Sequence, residues 1–299
     1  MLKSFLVTEV EPTWYRPDPE LLKKYQRVWQ VFHLLILPAV ILRLMGWFGS
    51  LDWGGLPFLK YGLMPVVFWF YSFAGLQVLS DFQPGKWWLF LLASGMLNLA
   101  VTAGYFYLPV GSLRWVAVWL LSGLAIFFNL GTLFLATRSM PRDIRRLGLQ
   151  SQHVVYQLLL GFVIGASLNI HFLFVIRNFV GYPVEDYLFS RDNWLLFAYL
   201  AGYVVLVREL LLRGFLYSLF SKYLSFRKWK VIGLVIVYDL ILSFALYPEF
   251  GQTLRGLISW NYLMVISVLV TLFRERSENL YSGAAVQIAS TWLLLSVFN

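Results

Sequence analysis

The chain has 299 residues, 60% of them hydrophobic, 19% aromatic and only 13% charged, with a mean hydropathy of +0.70. That leaves too few polar residues to cover a water-soluble globule, and the apolar runs are too long for one soluble core, so the composition predicts an all-α, polytopic membrane protein. The net charge of +9 comes from basic residues gathered between apolar runs, which argues against a nucleic-acid partner, and the absence of cysteine excludes disulfides, thiolate nucleophiles and thiolate metal sites.

The N-terminal segment, residues 1–30, is polar and aromatic, with Pro12, Pro17 and Pro19 ahead of the stretch PELLKKYQRVWQ. No cleavable signal peptide is expected from it. Lys23, Lys24 and Arg27 beside Leu21, Leu22, Tyr25 and Trp29 suit a helix at the lipid headgroups, or alternatively a polar lead-in to the first span.

Nine apolar stretches follow within a single membrane domain, residues 31–299, each near the length of about 20 residues that a bilayer requires. They run over Val31–Phe48, Leu59–Ser80, Trp87–Leu108, Leu113–Ala136, Val154–Phe179, Trp194–Phe220, Val231–Tyr247, Leu257–Phe273 and Leu280–Phe298. Arg138, Arg142, Arg145 and Arg146, then Lys222, Arg227, Lys228 and Lys230, then Arg274 and Arg276, occupy loops on one side. Glu185, Asp186 and Asp192 lie on the other. This alternation predicts a cytoplasmic N-terminus and an external C-terminus.

The sixth stretch contains VVLVRELLLRGFLYSLF, with Arg208, Glu209 and Arg213 in an otherwise apolar run. A charge in hydrocarbon costs at least about 2.5 to 3.5 kcal/mol, so such a cluster marks an architectural or functional site. Glu209 and Arg213, four apart, share a helical face with the carboxylate N-terminal to the cation. Arg208 lies about 100° away and needs a partner from another helix. Asp239, in GLVIVYDLILSF of the seventh stretch, lies at a depth that reaches one of the two arginines and completes a charge-balanced set. The set either ties two helices together or forms a polar binding pocket.

RELLLRGFLY resembles the first motif, Glu-Glu-x-x-x-Arg followed by Gly, of the CAAX-prenyl-protease and bacteriocin-processing (CPBP or Abi) intramembrane proteases. Glu209, Arg213 and Gly214 match, and Arg208 stands where the first Glu would be. Phe244 to Pro248 is similar to the second motif, Phe-x-x-x-His, with Pro248 in the His position. Gln287 and Thr291 stand where the third motif, His-x-x-x-Asn, has its His and Asn. The resemblance covers residues 195–298 as a CPBP-like helical core. It implies that the first Glu and the second-motif His activate water while the third-motif pair supports an oxyanion.

These substitutions imply a degenerate member of the family. Arginine is never a base in a protein and proline has neither a titratable group nor an N–H donor, whereas Gln287 and Thr291 can still donate hydrogen bonds. The resemblance thus implies no catalytic residues. It implies instead a cavity lined by Arg208, Glu209, Arg213, Asp239, Phe244, Gln287 and Thr291 that holds another membrane protein, a lipoprotein or a lipid-modified substrate, in contact with membrane lipids of a bacterial inner membrane. Two other readings stay open: a divergent endopeptidase with Glu209 as base, and a transporter subunit, since intramembrane charges also mark permeation paths.

No cofactor or metal is expected, because no His, Glu or Asp set has ligand spacing. His171, among Asn169 and Arg177, is expected as a buried hydrogen-bonded residue or a ligand. Asn98 and Asn129 are expected to bond between helices, and Ala93-Ser94-Gly95 and Gly123-Leu124-Ala125 to pack closely. The topology has a direct check: a cysteine introduced at Arg145 should resist an impermeant thiol reagent added outside intact cells, and labelling from outside would reverse the orientation.

Overall fold

The computed structural model describes residues 19–48, 62–80, 87–109, 111–139, 145–149, 153–181, 197, 203–224, 226–246 and 254–298, and these are helices joined by short turns. In chain order they are α1 (Pro19–Phe48), α2 (Met64–Ser80), α3 (Trp87–Tyr107), α4 (Ser112–Ser139) and α5 (Val154–Val175), the last continuing through a wide i→i+5 turn, Ile176–Val180. Then come α6, which starts at Val205–Glu209 and widens into i→i+5 turns over Leu210–Leu216 and Leu219–Tyr223, α7 (Lys228–Leu246), α8 (Leu254–Ser277) and α9 (Tyr281–Phe298).

Helix α6 is the centre of the bundle. Every residue from Glu209 to Leu216 is buried, as expected of a helix that is apolar all round and enclosed by others. Its aromatic contacts fix its neighbours: Tyr223 meets Tyr25 of α1 at 4.7 Å between centroids, Phe215 meets Tyr71 of α2 edge-on at 5.6 Å, and Phe220 stacks on Tyr238 of α7 at 5.9 Å. Such pairs contribute about 0.5 to 1.5 kcal/mol each beyond the area they bury.

Pro19 opens α1, a first-turn position where its missing N–H leaves no bond unmade. The helix runs unbroken past residue 30 and through Pro38, so the polar lead-in and the first apolar stretch are one element. Tyr25, Val28, Phe32 and Ile36, three or four apart, form its buried stripe. Tyr71 of α2 donates a hydrogen bond to the Val28 carbonyl, and Trp29 Nε1 donates to Tyr238 Oη at 3.0 Å.

Helices α3 and α4 form a hairpin locked by amides: Asn98 Nδ2 donates to Asn129 Oδ1 at 3.2 Å, and Ser94 also donates to that oxygen. Both small-residue clusters were expected to pack closely, but they diverge. A Cβ on Gly95 would come 2.6 Å from the Phe70 ring, whereas Gly123 faces open space and needs no small residue.

The tightest crossing joins α5 and α9. Gly161 and Gly165, one turn apart, lie against the carbonyls of Ser282 and Val286, and a Cβ at either would stand 2.9 Å from the methyl of Ala285 or 2.8 Å from that of Ala289. This is the small-xxx-small packing by which helices approach each other in a bilayer. His171 corrects an expectation here: it is exposed rather than buried, because it falls on the outer face of α5, where a ring nitrogen bonds Tyr262 Oη.

Among the described residues four helices are long and apolar enough to cross a membrane: Trp87–Tyr107, Ser112–Ala136, Val154–Val180 and Leu254–Ser277. The outward faces of α4 and α5 are apolar as well, through Leu113, Leu120, Phe127 and Phe162, surface that suits lipid and not water. Of the other expected spans, α1 carries Lys23, Lys24 and Arg27, and α7 carries Lys228, Lys230 and Asp239. Much of the stretch before α6, with Glu185, Asp186 and Asp192, lies outside the described residues, as does Arg142.

Gly165→Val should destabilise the fold by at least the roughly 1 to 3 kcal/mol of core overpacking, because backbone rather than a movable side chain blocks the added atoms. Unfolding of the purified protein in mixed micelles checks it, and Gly123→Val should leave the transition unmoved.

Candidate functional site

The charged residues of α6 do not pair along their own helix alone. Arg213 Nη1 donates to Glu209 Oε1 at 2.8 Å, while its Nη2 donates to Asp239 Oδ2 of α7. Arg208 reaches the same carboxylate from the other side: Nε donates to Asp239 Oδ1 at 2.6 Å, and Nη2 stands 2.5 Å from that oxygen and donates to Ser243 Oγ at 2.6 Å. Asp239 therefore bridges both arginines, where the sequence promised contact with one.

The local backbone explains the bridge. In a continuous α-helix, residues five apart point about 140° away from each other, which would set Arg208 and Arg213 on opposing sides. The i→i+5 turns that begin at Leu210 rotate less per residue and lessen that angle, and both guanidinium groups reach Asp239 of α7. Wide turns of this kind are frequent at functional sites.

Polar side chains from α8 and α9 complete the set. Arg213 Nη2 donates to Ser267 Oγ at 3.2 Å, Arg213 Nε donates to Thr271 Oγ1 at 3.4 Å, and Gln287 Nε2 donates to Glu209 Oε1. The side chains of Glu209, Arg213 and Asp239 are 1%, 0% and 0% exposed, and Arg208 at 11% is the charged member nearest the surface. Two acids balance two arginines in a site walled by four helices.

Glu209 uses its two oxygens unequally. Oε1 accepts from both Arg213 and Gln287, while Oε2 is buried with no hydrogen-bond partner and lies against Gly283. A Cβ on Gly283 would stand 2.8 Å from Oε2 and 2.5 Å from a methyl of Val270. The glycine thus lets α9 close over the carboxylate.

Of the residues singled out in the sequence, Arg208, Glu209, Arg213, Asp239 and Gln287 converge. Thr291 is buried on the same helix as Gln287, one turn further on, but its hydroxyl donates to the Gln287 carbonyl at 2.7 Å and is directed along its own helix. Phe244 lies in the last turn of α7, and Pro248 lies outside the described residues.

Sequence reasoning missed Ser243, Ser267, Thr271 and Gly283. The spacing held a signal, since Ser243 follows Asp239 by four residues and Ser267 precedes Thr271 by four, one face in each case. Arg274 is a further correction. Instead of standing in a loop, it is 2% exposed in the last turn of α8, with Nε donating to the Arg213 carbonyl and Nη2 to the Arg146 carbonyl, both at 2.8 Å. Gly148, at φ +90°, lies beneath its guanidinium, and a Cβ there would stand 2.7 Å from Arg274 Cζ. Arg274 thereby fastens the 145–149 turn to α6 at the carbonyl of the cluster's own arginine.

Comparison with protein-family models, curated proteins and solved structures returned no match for the chain.

Asp239→Asn should destabilise more than Glu209→Gln. Loss of the Asp239 charge leaves two buried arginines with one carboxylate, a defect on the order of 3 to 5 kcal/mol for a broken buried pair, whereas loss of the Glu209 charge leaves Arg213 still held by Asp239. Unfolding midpoints of both variants and of Glu209→Gln/Arg213→Leu test this order, and parental midpoints for all three would remove the network from the stability of the fold.

Proposed function

We propose that the chain is a catalytically inactive relative of the CPBP intramembrane proteases, a membrane protein of nine spans with its N-terminus in the cytoplasm, that holds a partner membrane protein, lipoprotein or lipid-modified substrate. The observation that supports this reading best is the pairing of the charges. A water-activating base needs a carboxylate free to accept a proton, and here Asp239 is shared between Arg208 and Arg213 while Glu209 accepts from Arg213 and Gln287.

The positions compared with the family support the same reading. Arg208 cannot serve as a base and is bound to Asp239; Gln287 donates to a carboxylate rather than standing ready for a developing oxyanion; Thr291 donates to a backbone carbonyl. What survives is the architecture of a polar site enclosed by α6, α7, α8 and α9. Arg208 is its most exposed charge and the group of the set best placed to meet a partner.

One observation favours a second reading. Glu209 Oε2 is buried without a hydrogen-bond partner, and a carboxylate oxygen of that kind is the group a divergent endopeptidase would use as base. The close approach of Gly283 to that oxygen weighs against it, since attack requires room for a water beside the base.

In lipid, the purified parent and Glu209→Ala should both leave prenylated and transmembrane peptides uncleaved, and a photo-crosslinker at Ile288, beside Gln287, should capture a membrane partner. Cleavage by the parent that disappears in Glu209→Ala would overturn the inactive reading and install the endopeptidase in its place.

A further inference from the structure

Helices α1 and α2 enclose a groove of about 790 Å³ whose two walls differ in chemistry. On α1, Glu20, the neighbours Lys23 and Lys24, and Arg27 follow at successive turns on the groove side, and the stripe continues into Val28 and Val31. On α2, Tyr71, Ala74, Gly75 and Val78 repeat at the same spacing and present apolar surface. The hydrogen bond from Tyr71 to the Val28 carbonyl fixes the register, so that Ala74 and Val78, further along the antiparallel α2, stand level with the charged turns of α1. One wall carries three cations and one acid, and the other is hydrocarbon.

The ligand that matches both walls carries a negative group joined to an apolar chain. Val31 and Val78 are 47% and 45% exposed, so the groove opens sideways at its apolar flank. Its volume lies within the roughly 300 to 1,000 Å³ of ligand sites, enough for a head region and part of a chain. Cations clustered at the end of a membrane helix attract anionic lipid.

We propose that this groove holds one anionic phospholipid, its phosphate against Lys23 and Arg27 and an acyl chain running from Ala74 past Val28 toward Val31. The site is built from α1 and α2 and shares no residue with the acid–arginine network. It rests on the chain's membrane residence and is independent of whether the Glu209 site is catalytic.

The test uses the full-length protein in nanodiscs of phosphatidylglycerol or phosphatidylcholine, followed by detergent extraction and native mass spectrometry to count retained lipid. The parent should keep one phosphatidylglycerol and no phosphatidylcholine. Lys23→Ala/Arg27→Ala should weaken retention roughly 30-fold, about five- to sixfold for each cation removed. Ala74→Phe should also lose the lipid by filling the groove while leaving the cations in place. Circular dichroism melts of both variants verify folding, and titration of the delipidated parent needs no variant: a short-chain phosphatidylglycerol should bind, and neither inorganic phosphate nor an acidic amphipathic peptide should compete for it. Equal retention of both lipids, undiminished retention in the folded variants, or displacement by the peptide would overturn the site. Failure of the parent to enter either nanodisc would overturn membrane residence with it.

Discussion

Asp239 bridges Arg208 to the Glu209–Arg213 pair in the centre of an apolar bundle, and the fold around α6 depends on that double contact. Such pairing is required because an isolated charge in a low-dielectric interior has a desolvation cost that no packing contact offsets. The carboxylate satisfies both by presenting one oxygen to each, Oδ1 to Arg208 and Oδ2 to Arg213. This demands that the arginines face the same way, and the wide turn from Leu210 to Leu216 meets the demand. The departure from α-helical geometry and the ion network are thus one feature.

The consequences spread outward through hydrogen bonds rather than through apolar contact. Arg213 reaches Ser267 and Thr271 on α8, Glu209 receives Gln287 from α9, and Arg274 returns from α8 to the Arg213 carbonyl and onward to Arg146. Arg213 therefore bonds to α7 and α8 as well as to its own helix, and Glu209 extends the set to α9. Helix α5 takes no part in the polar set. It joins through the glycines that admit α9, so the position of Gln287 against Glu209 depends on how closely Gly161 and Gly165 allow those two helices to cross.

Much of this was legible in the sequence where the signal is a charge in an apolar run. The Glu209–Arg213 pair, the need of Arg208 for a partner on another helix, and Asp239 as an acid at matching depth all follow from spacing and rise per residue. Asn98 and Asn129 were legible for the same reason, as amides with no water to bond. Backbone geometry was not: nothing in LLLRGFL announces i→i+5 turns, so the sequence allowed Asp239 one arginine when it takes two. Nor was the environment of Arg274, which reads as one more cation beyond a span and proves to be a buried clamp, because its two carbonyl partners come from distant segments, Arg213 of α6 and Arg146 in the turn before Gly148. The small-residue pattern misled in part, since Gly123 has the composition of a contact and no neighbour to meet.

A buried ion network is a poor source of net stability, since well-packed apolar residues of similar volume often serve as well or better. What such a network supplies is discrimination among arrangements. Apolar helices in a bundle can slide or rotate by a turn with small loss, as lipid-like surfaces offer each other no preferred register. Displacing α7 by one turn would carry Asp239 about 5 Å from both guanidinium groups, taking the acid from both of its partners and leaving Glu209 as the carboxylate on Arg213. Displacing α9 would take Gln287 from Glu209 and drive the next side chain into the space that Gly283 leaves open. The cluster thus fixes the relative heights of α6, α7, α8 and α9 with a penalty that apolar packing alone does not impose. That rigidity is also what a binding site needs, because it holds the Arg208 guanidinium in a constant position against Asp239 and Ser243.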